Sequence, residues 1–493
     1  MLERPIPPQP AGFAGAGKPL GGGSGRAGWM GAVAAPAAVM LVPVAGYFWY
    51  LQHFWVDIIA RDEWDVVPLL QALDRGQLTL GMLWAQHYEN RMALPYLLIL
   101  GLAKLSRFDT RWEMVLGGAL LVAAFLVLLR IFVGRGKLSA WALTPVAFIW
   151  FSWAQSRNIL WGFQLAWPLV LVLLCVMVAA LSREAPSGRG FALAAVAAAA
   201  ASISSVSGLF LWPCGLYLLL VRRHCWWARV SWVLITAAVT GVYLYRFQFN
   251  QTGASSTGYL TTHMVAAVRF FLLAAGNVVA GMSPHLRGGT SQGTLDELEA
   301  AGVVVVLLAV ATVAIGIRVA RRDPLLHPAI ALILFGLIFD LTLVLRLERG
   351  ILAALPGQYV SYNLTLLTGV WLVTARIWQR SRRPEAALVL AVAGVMILCQ
   401  VGVGTATGLR DGRLYQADRQ TAQDLLANYR IAPPALISSY LHLRWQVVPP
   451  RAAFLDHRHL SVFAIPVAAK DRRRGIVPGR RPGPGLGESE TNP

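Results

Sequence analysis

Long apolar runs, separated by short arginine-bearing stretches, dominate the pattern between residues 28 and 408. Runs such as Gly117–Leu129, Leu165–Leu181 and Gly302–Ile317 contain no charged residue. A helix needs roughly 20 predominantly apolar residues to cross about 30 Å of hydrocarbon, and these runs recur at or near that length. The pattern predicts an all-α polytopic membrane protein with about eleven transmembrane helices. The predicted helices lie near 28–50, 112–132, 139–155, 163–181, 190–204, 206–221, 230–246, 298–317, 328–345, 360–377 and 386–407.

Arginine and lysine cluster in alternate connections between these helices, as the positive-inside rule requires of cytoplasmic loops. The clusters lie near Arg130, Arg183, Arg222, Arg318 and Arg376. We therefore expect a multi-pass protein of the cytoplasmic (inner) membrane, with a cytoplasmic N-terminus and an extracytoplasmic C-terminus. This topology requires that two moderately apolar segments, Met92–Ser106 and His263–Met282, lie on or dip into the outer face without spanning.

The polar stretches divide the rest of the chain. Residues 1–27 are rich in Pro and Gly, which predicts a disordered cytoplasmic tail, and 467–493 are rich in Arg, Gly and Pro, which also predicts disorder. Between these tails, 28–408 is the predicted transmembrane domain, and 409–466 is a small extracytoplasmic region that begins with a helix over Tyr415–Tyr429. Two large outer loops are expected at 51–111 and 247–297.

Composition excludes a soluble domain for the central part of the chain. Hydrophobic residues make up 56% of the sequence and charged residues 14%, whereas soluble domains have about 45–50% and about 25% respectively. The net charge of +19 comes almost entirely from arginine, which lies in short clusters between apolar runs. This placement favours the positive-inside bias over a nucleic-acid partner.

The first outer loop contains the densest group of polar side chains in the chain. Asp57, Arg61-Asp62-Glu63-Trp64-Asp65 and Asp74 follow the first helix directly, and Trp84–Arg91 follows later. Carboxylates beside aromatic rings at a membrane surface can act as general bases or bind a cation, because partial burial changes their pKa. The alternative is a solvated acidic loop that obeys the topology rule.

Four segments carry a resemblance to a known class of enzymes. Arg61–Asp65 resembles the acidic first-loop motif of the GT-C glycosyltransferases, and Gln86–Arg91 resembles a His-Asn-Glu-His-Arg motif of some bacterial members. Gln155–Gln164 and Ser204–Pro213 are similar to recurrent stretches of the same members. The chain departs from the pattern at Tyr88 and Asn90, and it reads Val-Ser-Tyr over 360–362 where relatives often have Ser-Arg-Tyr.

The resemblance implies a GT-C-like bundle that transfers a sugar from a polyprenyl-phosphate carrier to an acceptor on the outer face. It implies Asp62 as the general base, with Glu63 as the nearest rival. Arg61, Arg91 and Arg157 are the expected phosphate contacts, because guanidinium groups match phosphate oxygens. The other expected substrate-binding residues are Asp65, His87, Glu89, Asn158, Trp161, Gln164 and Tyr362.

Several of these expectations have alternatives. Arg61 can instead pair with Asp57 or Asp65, and Trp161 can belong to an interfacial aromatic belt. No cofactor is expected, although a divalent metal held by Asp62 and Asp65 is an alternative. The expected partners are a polyprenyl-phosphate-linked sugar, membrane lipids and a glycan, lipid or protein acceptor, with no nucleic acid.

Two other classes of function stay open. A transporter or flippase for a lipid-linked or small solute requires ionisable residues near the middle of the membrane, where Asp340 is the clear example. A non-catalytic GT-C-like subunit that binds a carrier lipid or a partner agrees with the departures from the motifs.

Overall fold

The computed structural model describes residues 24–134, 137–182, 187–222, 224–249, 254–280, 291–320 and 323–464. This part of the chain is almost entirely helical. The strands are β1 Gln86–His87 and β2 Asn90–Arg91. The helices are α1 Ser24–Phe54, α2 Val66–Asp74, α3 Leu80–Leu83, α4 Ala93–Ser106, α5 Arg111–Phe132, α6 Thr144–Trp150, α7 Ser156–Leu160, α8 Ala166–Leu181, α9 Gly188–Ser202, α10 Leu211–Val221, α11 Trp226–Leu244, α12 Thr257–Thr262, α13 Met264–Ala280, α14 Gln292–Ala320, α15 Leu326–Leu343, α16 Val360–Ser381, α17 Pro384–Ala427, α18 Pro434–Leu441 and α19 Val448–His457.

Within the described residues, seven helical segments are long and apolar enough to cross a membrane. They are Ala34–Phe54, Arg111–Phe132, Gly162–Leu181, Trp226–Leu244, Gln292–Val319, Leu326–Arg349 and Pro384–Ala427. Shorter apolar helices accompany them at Ala93–Ser106, Gly188–Ser202, Val206–Val221 and Met264–Val279. The expectation of a multi-pass, all-α membrane protein is confirmed at this level.

The helices pack around one large hydrophobic core that extends from α1 to α17. The helix pairs that pack over the largest extent are α15 with α16 and α13 with α14. Glycine permits the close packing of α13 against α14, since an added Cβ on Gly302 would clash with the carbonyl oxygen of Leu272. Helix α13 begins with exposed Val265 and ends among fully buried residues such as Val278, so it enters the bundle from its surface.

A second hydrophobic core lies beyond one end of the helix bundle. It joins residues 55–110 to residues 428–464, which together we call the loop layer. Two contacts fasten its halves: the backbone N–H of Ser461 donates to the carbonyl of Arg107 at 2.8 Å, and Arg451 donates to the carbonyl of Trp64 at 2.6 Å. The first loop and the C-terminal region therefore form a single packed unit.

Two helix predictions are wrong in their bounds. The last predicted span, 386–407, lies inside α17, a helix of 44 residues that continues without a break to Ala427 and so includes most of the predicted Tyr415–Tyr429 helix. The predicted helix at 139–155 is instead a series of short turns around α6, in which Pro145 lies in the first turn. Helix α4 has 14 residues, and its buried residues Tyr96, Ile99, Leu100 and Ala103 belong to the second hydrophobic core. The predicted tails lie mostly outside the described residues.

Candidate functional site

The acidic motif of the first loop forms one tight turn of helix. Arg61 has a φ of 53°, in the left-handed region that non-glycine residues rarely adopt. A 3₁₀ helix follows over Arg61–Asp65, in which Glu63 and Trp64 are buried. The Trp64 ring nitrogen donates to the carbonyl of Ile59 at 2.9 Å, which fixes this turn. Glu63 and Trp64 therefore point inward, whereas Asp62 and Asp65 remain partly exposed.

The second motif of the loop forms a β-hairpin. His87 pairs with Asn90 across a two-residue turn, and Tyr88 in that turn has a φ of 50°. Arg91 is buried and donates to three backbone carbonyls: Trp84 at 2.6 Å, Tyr245 at 2.9 Å and Tyr243 at 3.3 Å. These contacts hold the hairpin against the end of α11, and a phosphate contact by Arg91 stays a prediction.

The turn and the hairpin meet at His87. Its Nε2 lies 3.5 Å from Oδ2 of Asp62, and its Nδ1 lies 3.6 Å from Oδ2 of Asp65. Burial acts to lower the pKa of His87, but the hydrogen bonds with Asp62 and Asp65 outweigh burial and raise the pKa to about 9. Burial acts to raise the pKa of Asp65, but the bonds from His87 and Arg451 outweigh burial and lower it. Near neutral pH, His87 is therefore an imidazolium between two carboxylates.

Three arginines from distant parts of the chain lie beside this group. Burial, and then the positive charge of Arg61, lower the pKa of Arg157 to about 10. Burial, and then the charge of Arg419, lower the pKa of Arg61, although Asp62 opposes this effect. Arg419 is buried, and its Nε and Nη1 have no hydrogen-bond partner among the described residues. Because these cations repel one another, an anion bound among them would stabilise all three.

A group of carboxyls lies on the inner side of the turn. Glu63 is fully buried, faces Glu113 at the start of α5, and accepts a hydrogen bond from the N–H of Ala60 at 3.2 Å. Burial raises the pKa of Glu63 to about 7. Asp57 accepts from the N–H of Thr110 at 2.9 Å, and burial followed by the charge of Asp109 raises the pKa of Asp57 to about 6. Glu63 therefore faces the protein interior, away from the partly exposed Asp62.

The remaining predicted residues divide between the edge of this site and the core. Glu89 forms a salt bridge with Arg346. Asn158 donates to the carbonyl of Gln358 at 2.8 Å and to the hydroxyl of Ser361 at 2.7 Å. Gln164 is buried. Trp161 is also buried and lies under the guanidinium of Arg157, 5.4 Å from its carbon to the ring centre, so it is not part of an exposed aromatic belt.

Tyr362 lies apart from the polar group. It is buried in α16 and packs against Trp167, Phe335 and Phe339, with ring centres 4.3, 5.2 and 5.0 Å away. Its hydroxyl has no hydrogen-bond partner in the part of the chain that the structure describes. These contacts make Tyr362 a core residue, and its role in substrate binding stays a prediction.

The sequence did not reveal the contribution of the C-terminal region. Arg419 and Tyr415 come from α17, Arg451 pairs with Asp65 at 3.3 Å, and His442 lies 2.9 Å from a guanidinium nitrogen of Arg61. A signal was present, because Asp411, Tyr415 and Arg419 recur every four residues and so share one face of a helix.

Neither a metal site nor a similar protein of known function shows what the polar group around Asp62 and His87 does. The described residues contain no set of three or more His, Cys, Asp or Glu side chains arranged to hold a metal ion. Comparisons with family models, with curated proteins and with solved structures give no match for the chain. The function must therefore be inferred from the arrangement of the side chains.

Proposed function

We propose that the protein is a membrane glycosyltransferase that moves a sugar from a polyprenyl-phosphate carrier to an envelope glycan, lipid or protein acceptor. The observation that carries this proposal is the position of Asp62. Its carboxylate lies beside an imidazolium, at 3.5 Å from His87, and beside the arginine group formed by Arg61, Arg157 and Arg419. Asp62 next to several cations, at the end of an apolar helix bundle, suits an anionic donor with a lipid tail.

The proposed chemistry requires one base and an anion-binding group. The acceptor oxygen attacks the anomeric carbon, its proton passes to Asp62, and the bond between that carbon and the phosphate oxygen breaks. The leaving polyprenyl phosphate takes the bonding electrons, so its charge increases and the arginines stabilise it. His87 holds the Asp62 carboxylate in place, and this leaving group needs no general acid.

The buried position of Glu63 favours Asp62 over its rival as the base. The Glu63 side chain faces Glu113 and the backbone of Ala60, where an acceptor hydroxyl has no access. We assign Glu63 to supporting the turn that presents Asp62. Arg157, stacked on Trp161, is assigned to the phosphate together with Arg61 and Arg419.

The number of membrane crossings and the orientation of the chain are part of the same proposal. About eleven crossings result if the predicted spans 139–155, 190–204 and 206–221, whose helices are shorter than the seven longer spans, cross the membrane together with α16. The loop layer then lies on the extracytoplasmic side and includes the small C-terminal cap, and the N-terminus lies in the cytoplasm of the inner membrane. Support comes from the ends of α5, α14 and α16, where Arg130, Arg318 and Arg380 lie in the last turn.

Glycosyl transfer can be tested without knowing the sugar, by offering the protein a panel of donors. Purified protein in lipid nanodiscs would receive polyprenyl-phosphate-linked sugars together with envelope acceptors, and mass spectrometry would measure polyprenyl phosphate, the product common to every donor. We expect release by the wild type and none by Asp62→Asn. Equal release by both proteins would exclude Asp62 as the base.

Transport of a lipid-linked or small solute is the second candidate, and Asp340 is the observation that favours it. This carboxyl is fully buried in α15 and faces Asn363 of α16. Ionisable groups in that position are often part of a translocation path. Movement of a labelled lipid-linked sugar across proteoliposomes, lost in Asp340→Asn and retained in Asp62→Asn, would favour this function.

A further inference from the structure

A basic cavity lies at the end of the helix bundle opposite the loop layer. It has a volume of about 420 Å³ and lies between the segment that follows α5 and the last turns of α16. Among the described residues, Lys137, Arg376 and Arg380 provide its cationic groups, and Ser139 and Gln379 add polar side chains. The proposed transfer chemistry uses none of these residues.

The cations of this cavity are held in place by the surrounding structure. Arg376 is buried, and its Nε donates to Oδ2 of Asp323 at 2.6 Å. Arg380 lies 3.2 Å from the same oxygen while its side chain remains 52% exposed. The Gln379 amide donates to the carbonyl of Lys137 at 3.1 Å, which fastens the segment after α5 to α16. Among the described residues, three cations therefore share the cavity, and Asp323 lies beside two of them.

The surface beside the cavity has features typical of a membrane interface. It opens at the end of α5, an apolar helix that is long enough to cross the membrane. Leu126, one to two turns before the end of α5, and Trp141, directly after the cavity segment, are 56% and 52% exposed. Exposed tryptophan at the end of a span is typical of the interface between headgroups and acyl chains. A ligand of this cavity can therefore also lay an acyl chain along the surface of α5.

We propose that this cavity binds the phosphate of an anionic membrane phospholipid. The guanidinium of Arg380 and the ammonium of Lys137 contact phosphate oxygens, and the Ser139 hydroxyl donates a further hydrogen bond. Arg376, neutralised in part by Asp323, fixes the wall behind them. The same phosphate chemistry would suit free phosphate, but the exposed apolar surface beside the cavity favours a lipid.

Lipid retention by the full-length protein tests this site. The protein would be reconstituted with phosphatidylglycerol or with phosphatidylcholine of the same acyl chains, and native mass spectrometry would count the bound lipids. We expect selective retention of phosphatidylglycerol. Arg380→Gln should weaken it about fivefold, since one basic residue near the surface contributes about that factor. Ser139→Asp, which adds a negative charge and removes no cation, should weaken it at least as much.

A matched variant separates the cavity from general surface charge. Arg383→Gln removes the same charge two residues after α16, at an exposed position that does not line the cavity, and it should retain the lipid as the wild type does. Equal loss in Arg383→Gln and Arg380→Gln, or equal retention of both lipids, would overturn the proposal. If inorganic phosphate at equal concentration displaces the lipid, the ligand of the cavity is a soluble anion, and the lipid proposal is overturned.

Discussion

The Nε2 atom of His87 lies 3.5 Å from Oδ2 of Asp62, and this contact joins the turn after the first helix to the hairpin that follows α3. Both partners have a neighbour with a left-handed backbone: Arg61 precedes Asp62, and Tyr88 follows His87. Strained backbone of this kind is retained only where the surrounding structure enforces it, and it is concentrated at functional sites. The contact also determines the charge of the site, because it keeps His87 protonated near neutral pH.

Stability should depend on the protonation of His87. The pKa in the folded state, about 9, is higher than the ordinary value of 6.5. The stabilisation is therefore fully present below pH about 6.5 and is lost as the pH rises through about 9. The difference corresponds to about 3 kcal/mol. We expect the thermal midpoint of the wild type to fall over that range, and the midpoint of His87→Asn to fall less.

Exposed His457 at the end of α19 provides the control for this measurement. His457→Asn should follow the wild-type profile between pH 6 and pH 10. An identical pH dependence for His87→Asn and the wild type would show that the contact with Asp62 and Asp65 contributes no proton-linked stability.

Glu63 should destabilise the folded protein at high pH. Its folded-state pKa is raised to about 7 from 4.5, so its favourable contribution is present below pH about 4.5 and is lost as the pH rises through about 7. Glu63→Gln stays neutral and keeps an acceptor for the N–H of Ala60. We expect this variant to be more stable than the wild type above pH 8, by up to about 3 kcal/mol, and equal to it near pH 4. Lower stability at pH 8 would contradict this account.

The arginine group should determine affinity for the donor. Arg419→Met removes one charged contact, which is worth about 1.5–3 kcal/mol. The KM for the polyprenyl-phosphate donor should therefore rise about ten- to a hundredfold, and Arg419→Lys should recover part of this loss. Arg430→Met is the matched control, because Arg430 is 73% exposed and pairs with Asp456 away from the group. An unchanged KM in Arg419→Met would remove Arg419 from the site.

Gly162 permits the close approach of the 161–164 turn to the start of α5. A Cβ on Gly162 would lie 2.6 Å from Oε2 of Glu113 and 3.0 Å from the carbonyl oxygen of Thr110. Gly162→Ala should therefore destabilise the protein by about 1–3 kcal/mol. Gly101→Ala in α4, where nothing lies within 4 Å of the new methyl group, should be neutral or slightly stabilising. Equal midpoints for both variants in detergent would contradict the packing described here.

The membrane class and most of the long helices could be predicted from sequence, because a charge-free run such as Leu165–Leu181 has few alternatives to a buried helix. The length of α17 could not, since its second half is polar and hydrophobicity alone does not show that a helix continues. The structure places Asp62 and Asp65 beside His87, while their roles in catalysis and binding stay predictions. The sequence could not show that Glu63, their neighbour, turns inward.

Residue type did not predict the contacts between residues that are distant in sequence. Arg91 was expected to contact phosphate, but its guanidinium bonds to the carbonyls of Tyr243 and Tyr245, about 150 residues away. Tyr362 was placed in the site by a partial motif, whereas its ring packs in the core. Arg419 was missed because the site is completed by a helix from the far end of the chain.

The most direct measurement is complementation in the native host. The gene would be deleted, and envelope glycans and lipid-linked sugars would be compared by mass spectrometry after complementation with wild type, Asp62→Asn or Asp296→Asn. Asp296 is a matched control because it is 62% exposed and lies at the start of α14. We predict that one sugar disappears on deletion and returns with wild type and Asp296→Asn, while Asp62→Asn lowers it at least about a hundredfold. Full rescue by a well-expressed Asp62→Asn would contradict the assignment of the base and the proposed function built on it.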